Sequence, residues 1–427
     1  MPISRDDCLA LDAADPLAAL RQRFLLPSDV IYLDGNSLGA LPSATPARLS
    51  QVIEHEWGDG LIRSWNQAGW IDMPRRVGAK IARLIGAADD EVICADSTSI
   101  NLFKALACAL RLQARSAPSR RLILTERGNF PTDLYIAQGL IDLTGGGHQL
   151  LAVDAAELPA ALVAHREQVA LLMLTHVNFQ TGAMHDLTSL TAQAHAAGAL
   201  ALWDFAHSAG AVPLDFNGAG ADFAVGCGYK YLNGGPGAPA YVAVARRHLD
   251  ALDADPFAQP LSGWLGHRAP FAFESGYAPA QGIGRFTAGT PSILALAALD
   301  CGVDTVLEAG IDALRRKSLS LSALMITLVD QRCAGLGLEL ASPRDPALRG
   351  SQVCYRHAQA GAVMQALIAA RPCAAIGDFR NPDILRFGLA PLYLRHADIW
   401  DAVEILRSTL AAFAAAAAPQ ESASRCR

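Results

Sequence analysis

A chain of 427 residues, 52% hydrophobic and only 18% charged, can bury about three quarters of its unfolded surface, which excludes intrinsic disorder. Its 35 basic and 41 acidic residues leave a net charge of -6, with no long basic run to follow a phosphate backbone, so nucleic acid is excluded as a partner. The first residues are acidic rather than apolar, and the longest Ala-rich run, Leu410 to Ala418, falls short of the ~20 residues a bilayer requires. A soluble cytoplasmic protein with no membrane partner is expected.

In chain order, the pattern predicts a helix over Pro46 to Trp57, within a segment expected to pack on the C-terminal part of the chain. From about residue 90, short β-branched or Leu-rich runs alternate with longer Ala-rich amphipathic ones. The predicted strands are Glu91 to Ala95, Arg121 to Thr125, Gln149 to Val153, Val169 to Thr175, Ala199 to Trp203, Asp222 to Val225 and Ala238 to Val244. These seven strands predict an α/β fold built on one mostly parallel sheet, which binds ligands at the carboxyl ends of its strands. Beyond about residue 290, helices are predicted over Ile293 to Ala309, Ile311 to Gly335 and Ala397 to Ala418, followed by a loose tail, Glu421 to Arg427. The domain division read from this pattern is 60–305 for a large α/β domain, with 1–59 and 306–427 forming a smaller α+β one. Nine scattered cysteines without a C-x-x-C pair indicate reduced thiols rather than zinc or disulfides. His55, His148 and His195 have no ligand-spaced partners, so no metal is expected.

Only four of the basic residues are lysines. Lys80, Lys104 and Lys317 lie on helical patterns read as solvent-facing, but Lys230 sits in Gly-Cys-Gly-Tyr-Lys-Tyr-Leu-Asn-Gly-Gly, an apolar, Gly-rich loop after a strand. Desolvation there favours the neutral amine that Schiff-base chemistry needs. Asp204 ends the apolar run Ala-Leu-Ala-Leu-Trp-Asp, where a carboxylate either caps a helix or meets a cation such as a protonated pyridine nitrogen. The run from Glu91 through Thr98 and Ser99 to Leu110 passes from strand to helix, with Ile100, Phe103, Leu106 or Ala107 and Leu110 on its apolar face. Hydroxyls and free N–H groups at such a helix start bind a dianion, although Ser and Thr are also ordinary N-caps.

Together these residues resemble the pyridoxal 5'-phosphate (PLP) enzymes of fold type I and, within the class V aminotransferase-like superfamily, most closely the kynureninases. The likeness runs from Tyr-Leu-Asp-Gly-Asn-Ser-Leu-Gly at 32–39 to Leu-Arg-Phe-Gly-Leu-Ala-Pro-Leu-Tyr at 385–393. Its most specific stretches are Asn-Phe-Pro-Thr-Asp at 129–133, Trp-Asp-Phe-Ala-His at 203–207, Gly-Cys-Gly-Tyr-Lys-Tyr-Leu at 226–232 and Arg-Phe-Thr-Ala-Gly-Thr-Pro at 285–291. The resemblance implies hydrolysis of L-kynurenine to anthranilate and L-alanine through aldimine and ketimine intermediates, with Lys230 as Schiff-base and proton-shuttling lysine and Asp204 on the pyridinium. It implies that Phe130 stacks on the ring, that Asp133 and His207 extend the polar network, and that Thr98, Ser99 and Tyr229 hold the phosphate, Tyr229 also relaying a proton. Trp264 and Thr290 would reach in from a second subunit, implying a homodimer, and Arg386 would bind the substrate α-carboxylate unless it forms a buried structural ion pair. Trp65, flanking the substrate ring with Gly289 and Thr290 close by, would favour kynurenine over its 3-hydroxy form. The segment Thr175 to Gly182 reads as architecture. The rival readings are a cysteine desulfurase, which needs a mobile nucleophilic cysteine, and a catalytically silent PLP-binding regulator.

Overall fold

The computed structural model describes residues 2–417; the predicted tail, Ala418 and Cys426 lie outside them. The seven predicted strands form one sheet in the order Val92–Cys94, Tyr241–Val244, Phe223–Gly226, Leu200–Asp204, Val169–Thr175, Leu122–Glu126, Gln149–Val153. Neighbours run parallel except around Tyr241–Val244, which is antiparallel to both of its partners. That strand begins later than expected because Pro239 has no N–H to donate to a ladder.

The apolar runs read as strands because both faces of the sheet are covered. Leu172 and Leu174 enter one hydrophobic core, whereas Leu171 and Met173 enter the other, as the two-residue period of a strand requires. The adjacent strands repeat the alternation, with Trp203 on one side and Leu202 on the other.

Two expectations need correction. Lys104 and Lys317 are buried rather than solvent-facing: Lys317 pairs with Asp15 at 2.7 Å, and Lys104 reaches Asp96 and, at 2.6 Å, the Phe286 carbonyl. A lysine with such partners is tolerated inside; Asp15 and the Phe286 carbonyl are distant in sequence, and Asp96, eight residues before Lys104, meets it only because the strand-to-helix turn brings them together. On the helix Thr98–Ser116, Leu106 and Leu110 are buried as expected, but Ile100 is exposed and Leu102, Ala105 and Ala109 are buried too, so the packed face is broader than expected and does not include Ile100. Its small alanines, not only its large side chains, pack on the sheet. The helix predicted over Pro46 to Trp57 is present, α-helical over Thr45–Gln51 and continuing in the wider π-helical winding over Val52–Asp59.

The C-terminal part carries a four-stranded sheet in the order Glu339–Leu340, Gln352–Arg356, Ile384–Gly388, Asp378–Arg380, all neighbours antiparallel. Val30–Tyr32 pairs in parallel with Ala374–Ile376, and Arg5 makes a two-pronged ion pair with Asp401 at 2.8 and 2.9 Å. The N-terminal segment therefore packs on C-terminal elements. No helix among the described residues is long and apolar enough to cross a membrane.

Candidate active site

The site is built where the parallel strands end. Asp204 closes Leu200–Asp204, is 4% exposed and accepts only the Ala206 N–H, at 2.7 Å. Burial raises its pKa, a push opposed by the charge of Lys230. Asp133, in the first turn of Pro131–Leu143, is raised further, first by burial and then by repulsion from Asp204. Thr175 Oγ1, at the end of Val169–Thr175, lies 2.5 Å from Asn129 Oδ1 and 3.4 Å from Asp133 Oδ2.

Lys230 Nζ lies 3.0 Å from His207 Nε2, 6.0 Å from the centre of the Phe130 ring and 5.8 Å from that of Tyr229. Burial, then the lysine charge, holds His207 well below its ordinary pKa, so its imidazole is neutral. A neutral ring that accepts a hydrogen bond from Lys230 Nζ at Nε2 carries its proton on Nδ1, and Nδ1 is buried without a partner. Burial likewise raises the Tyr229 hydroxyl. Phe130 stands edge-on to Phe179, with ring centres 5.1 Å apart.

At the start of Thr98–Ser116 the capping residue is Ser97, whose hydroxyl accepts the Ile100 N–H, so the side chains of Thr98 and Ser99 are not needed as caps. Thr98, Ser99, Phe130, Asp133, Asp204, His207, Tyr229 and Lys230 line one cavity of about 130 Å³. Ser97, Thr98 and Tyr229 also border an adjoining cavity of about 470 Å³, whose far wall includes Gly289 and Thr290. Trp264 and Trp65 line neither cavity; their rings pack on each other at 6.2 Å.

Arg386 is 1% exposed and lies outside this cavity lining. Its Nε donates to Asp378 Oδ1 at 2.7 Å and its Nη1 to the Phe179 carbonyl at 2.7 Å, so it is engaged in a buried ion pair that also touches a cavity residue. Residues that the sequence did not single out complete the surroundings. Thr175 and Phe179 come from the segment read as architecture, while Asp378 faces Arg386 directly across the hairpin. Opposite charges flanking the Asn381-Pro382 turn were the available signal for that pair. The segment 34–39 lies against the lysine turn, its Gly39 N–H donating to the Tyr229 carbonyl at 2.7 Å. A Cβ on Gly39 would come within 2.4 Å of the Lys230 carbonyl, so the approach demands glycine.

Two buried carboxylates short of cations, an unpartnered imidazole nitrogen, an aromatic face and a hydroxyl-bearing helix start fit a phosphorylated pyridine aldehyde. Residues 31–356 match the aminotransferase class-V family model, and 314–406 match that of the kynureninase C-terminal domain. The fold is similar to that of a cysteine desulfurase from Thermococcus onnurineus, with a TM-score of 0.76 at 18% identity over 92% of this chain and 98% of that one. Fold and site together define a PLP-dependent enzyme of the class V, fold type I group. Kynureninases from Burkholderia mallei and Pseudomonas fluorescens are 57% and 55% identical over 408 residues, covering 95% of this chain and 95% of each relative. The chain belongs to the kynureninase family.

Proposed function

We propose that the protein hydrolyses L-kynurenine to anthranilate and L-alanine, with the smaller cavity as its reaction centre. The observation that carries this reading is the meeting of Lys230 Nζ, neutral His207 and the buried Asp204 at one end of the sheet, in a chain of this family. When bound, PLP supplies an electron-withdrawing ring that accepts the electron pair left at the substrate α-carbon. Asp204 holds the proton on the ring nitrogen, and Lys230 Nζ both takes the α-proton and returns it. His207 orients the lysine without adding a competing charge. Thr98 and Ser99 hold the phosphate, Phe130 covers the ring face and Asp133 extends the network around it.

Arg386 takes the α-carboxylate and Trp65 flanks the aromatic ring, with kynurenine preferred over its 3-hydroxy form. Water adds to the γ-carbonyl, the bond between the β- and γ-carbons breaks, and the acyl fragment leaves as anthranilate. The β-carbon gains a proton to become the methyl group of alanine; the Tyr229 hydroxyl, kept protonated by burial, is the donor assigned to that step.

Trp264 serves the site of a second copy, so the working unit is a homodimer; in one chain it borders a separate hollow with His267 and Tyr277. Thr290 is assigned to the same partner-facing role, and its position on the larger cavity of its own chain supports a place at the junction of the two sites. The division into 60–305 and 1–59 with 306–427 is supported by the pairing of Val30–Tyr32 with Ala374–Ile376. A cytoplasmic location is supported by the free thiols of the described cysteines.

A desulfurase reading finds little support here, because Cys227 is 3% exposed, its Sγ lies 3.7 Å from the Ala206 carbonyl and burial raises its pKa. Such a thiol is neither mobile nor activated. The deciding assay gives the PLP-loaded protein L-kynurenine and, separately, L-cysteine. Anthranilate fluorescence without sulfide is expected; sulfide without anthranilate would overturn the proposal, and an absorbing cofactor with neither product would favour a silent regulator.

A further inference from the structure

Arg386 raises a difficulty for the substrate-binding role just given to it. Its guanidinium is already filled by the protein: Asp378 takes Nε and Nη2, Ser37 Oγ accepts from Nη2 at 2.6 Å, and the Phe179 carbonyl takes Nη1. An incoming carboxylate also meets two acids. Asp378 is ionised, because the hydrogen bond and charge of Arg386 outweigh its burial. Asp34, pushed up to about 6 by burial and then by Asp378, is a second acid beside the same guanidinium.

One further cation is present. Arg380 Nη2 donates to Asp378 Oδ2 at 2.6 Å and to Ser37 Oγ at 3.3 Å, while its Nε is buried without any partner. Asp378, Arg380 and Arg386 occupy facing strands of one hairpin, with Asp378 opposite Arg386 and Arg380 opposite Ile384. The shared carboxylate oxygen can therefore pass between the two guanidiniums with little movement of the backbone.

We propose that Asp378 is a latch on the substrate-binding edge of Arg386 and that Arg380 is the positioning residue that receives it. When a substrate α-carboxylate arrives, Asp378 yields one edge of the Arg386 fork and turns to Arg380, whose free Nε supplies the hydrogen bond given up. Arg380 also balances the second acid, so the pocket does not repel an anion. The ligand class is an α-amino acid carboxylate, and the inference rests on the reading that Arg386 binds it.

The test is a steady-state comparison on PLP-loaded protein with L-kynurenine as substrate and its decarboxylated amine analogue as competitive inhibitor. Arg380→Gln is expected to raise KM about tenfold, the size of one charge-assisted hydrogen bond, with kcat nearly unchanged and inhibition by the amine unaltered. Arg380→Lys keeps the charge but lacks the Nε donor, so it should recover only part of that loss; it is the variant to measure if the glutamine form does not fold, and a parental KM there would equally overturn the latch. In an Asp378→Asn background, Arg380→Gln should add nothing further, because Arg380 acts through the latch. An unchanged KM in Arg380→Gln, or weakened binding of the amine to the same extent, would overturn the latch. Failure of the underlying reading looks different: Arg386→Ala itself would then leave KM unmoved.

Discussion

Two buried aspartates stand at opposite ends of neighbouring parallel strands in the central sheet, and they have been treated differently. Asp222, 1% exposed, precedes Phe223–Gly226 and is fully served: it accepts the Ala201 N–H at 2.7 Å and meets His195 at 2.8 Å, His248 at 2.6 Å and Arg247 at 2.7 Å. Burial pushes its pKa up, but the hydrogen bonds from His195 and His248 outweigh it and hold the carboxyl well below the usual range. Asp204, 4% exposed on the neighbouring strand, has one backbone N–H and a raised pKa. A protein able to surround one carboxylate with hydrogen-bonding side chains has left the other with a single backbone donor, at the end of the sheet where ligands bind. The first aspartate is part of the fold; the second is assigned to a cofactor.

The largest expected effects come from exchanging the two roles. Asp204→Asn should lower kcat at least about 100-fold, the scale of losing a group that holds a proton in the reaction, while the thermal midpoint of the apoprotein stays level or rises. Asp222→Asn should do the reverse, destabilising the fold by about 3 kcal/mol with kcat retained; this is the lower end of the range for breaking a buried pair, because Arg247 and His195 keep contact with water. Kinetics and urea titrations on both variants read out the comparison, and parallel losses would break it.

A second effect of similar size sharpens the distinction between structural and ligand-directed charge at Arg386. Arg386→Ala should raise KM for L-kynurenine about 100-fold while the cofactor absorbance is retained, the scale of losing a charged partner. Loss of the absorbance would instead make its pair with Asp378 purely structural.

The smallest effect is in the pH dependence. The Asp222 carboxyl is lowered on folding, so its contribution to stability is complete above the ordinary carboxylate range near about 4 and is lost as the pH falls through the folded-state value. The Asp204 carboxyl is raised, so in the apoprotein it weighs against folding increasingly as the pH rises through that range and beyond. The apo Asp204→Asn variant should therefore gain on the order of 1 kcal/mol over the parent at pH 8 and nothing at pH 4, measured by urea unfolding. Equal stability at both pH values would remove the contrast.

The two aspartates also show what a sequence can reveal. Asp204 was legible because a doubly covered strand is an uninterrupted apolar run, so a terminal carboxylate stands out; the same logic exposed Lys230 among glycines. The seven strands were legible for the same reason. Lys104 and Lys317 were not, because what makes a buried lysine tolerable is a partner supplied by folding, Asp96 with the Phe286 carbonyl in one case and Asp15 in the other. The part of the Thr98–Ser116 face formed by Leu102, Ala105 and Ala109 was missed because the alanines pack as tightly as larger side chains without looking apolar enough to define a stripe. Phe179 and Asp378 could be ranked only once the strand ends and the hairpin register placed them beside the cavity and Arg386.

The central claim, that Lys230 is the lysine that carries the cofactor, can be tested by one measurement on a chain with so few lysines. The PLP-loaded protein is reduced with borohydride, digested and mapped by mass spectrometry. The account predicts a phosphopyridoxyl label on the peptide holding Lys230, with Lys80, Lys104 and Lys317 unlabelled; a label on another lysine, or on none, would contradict it.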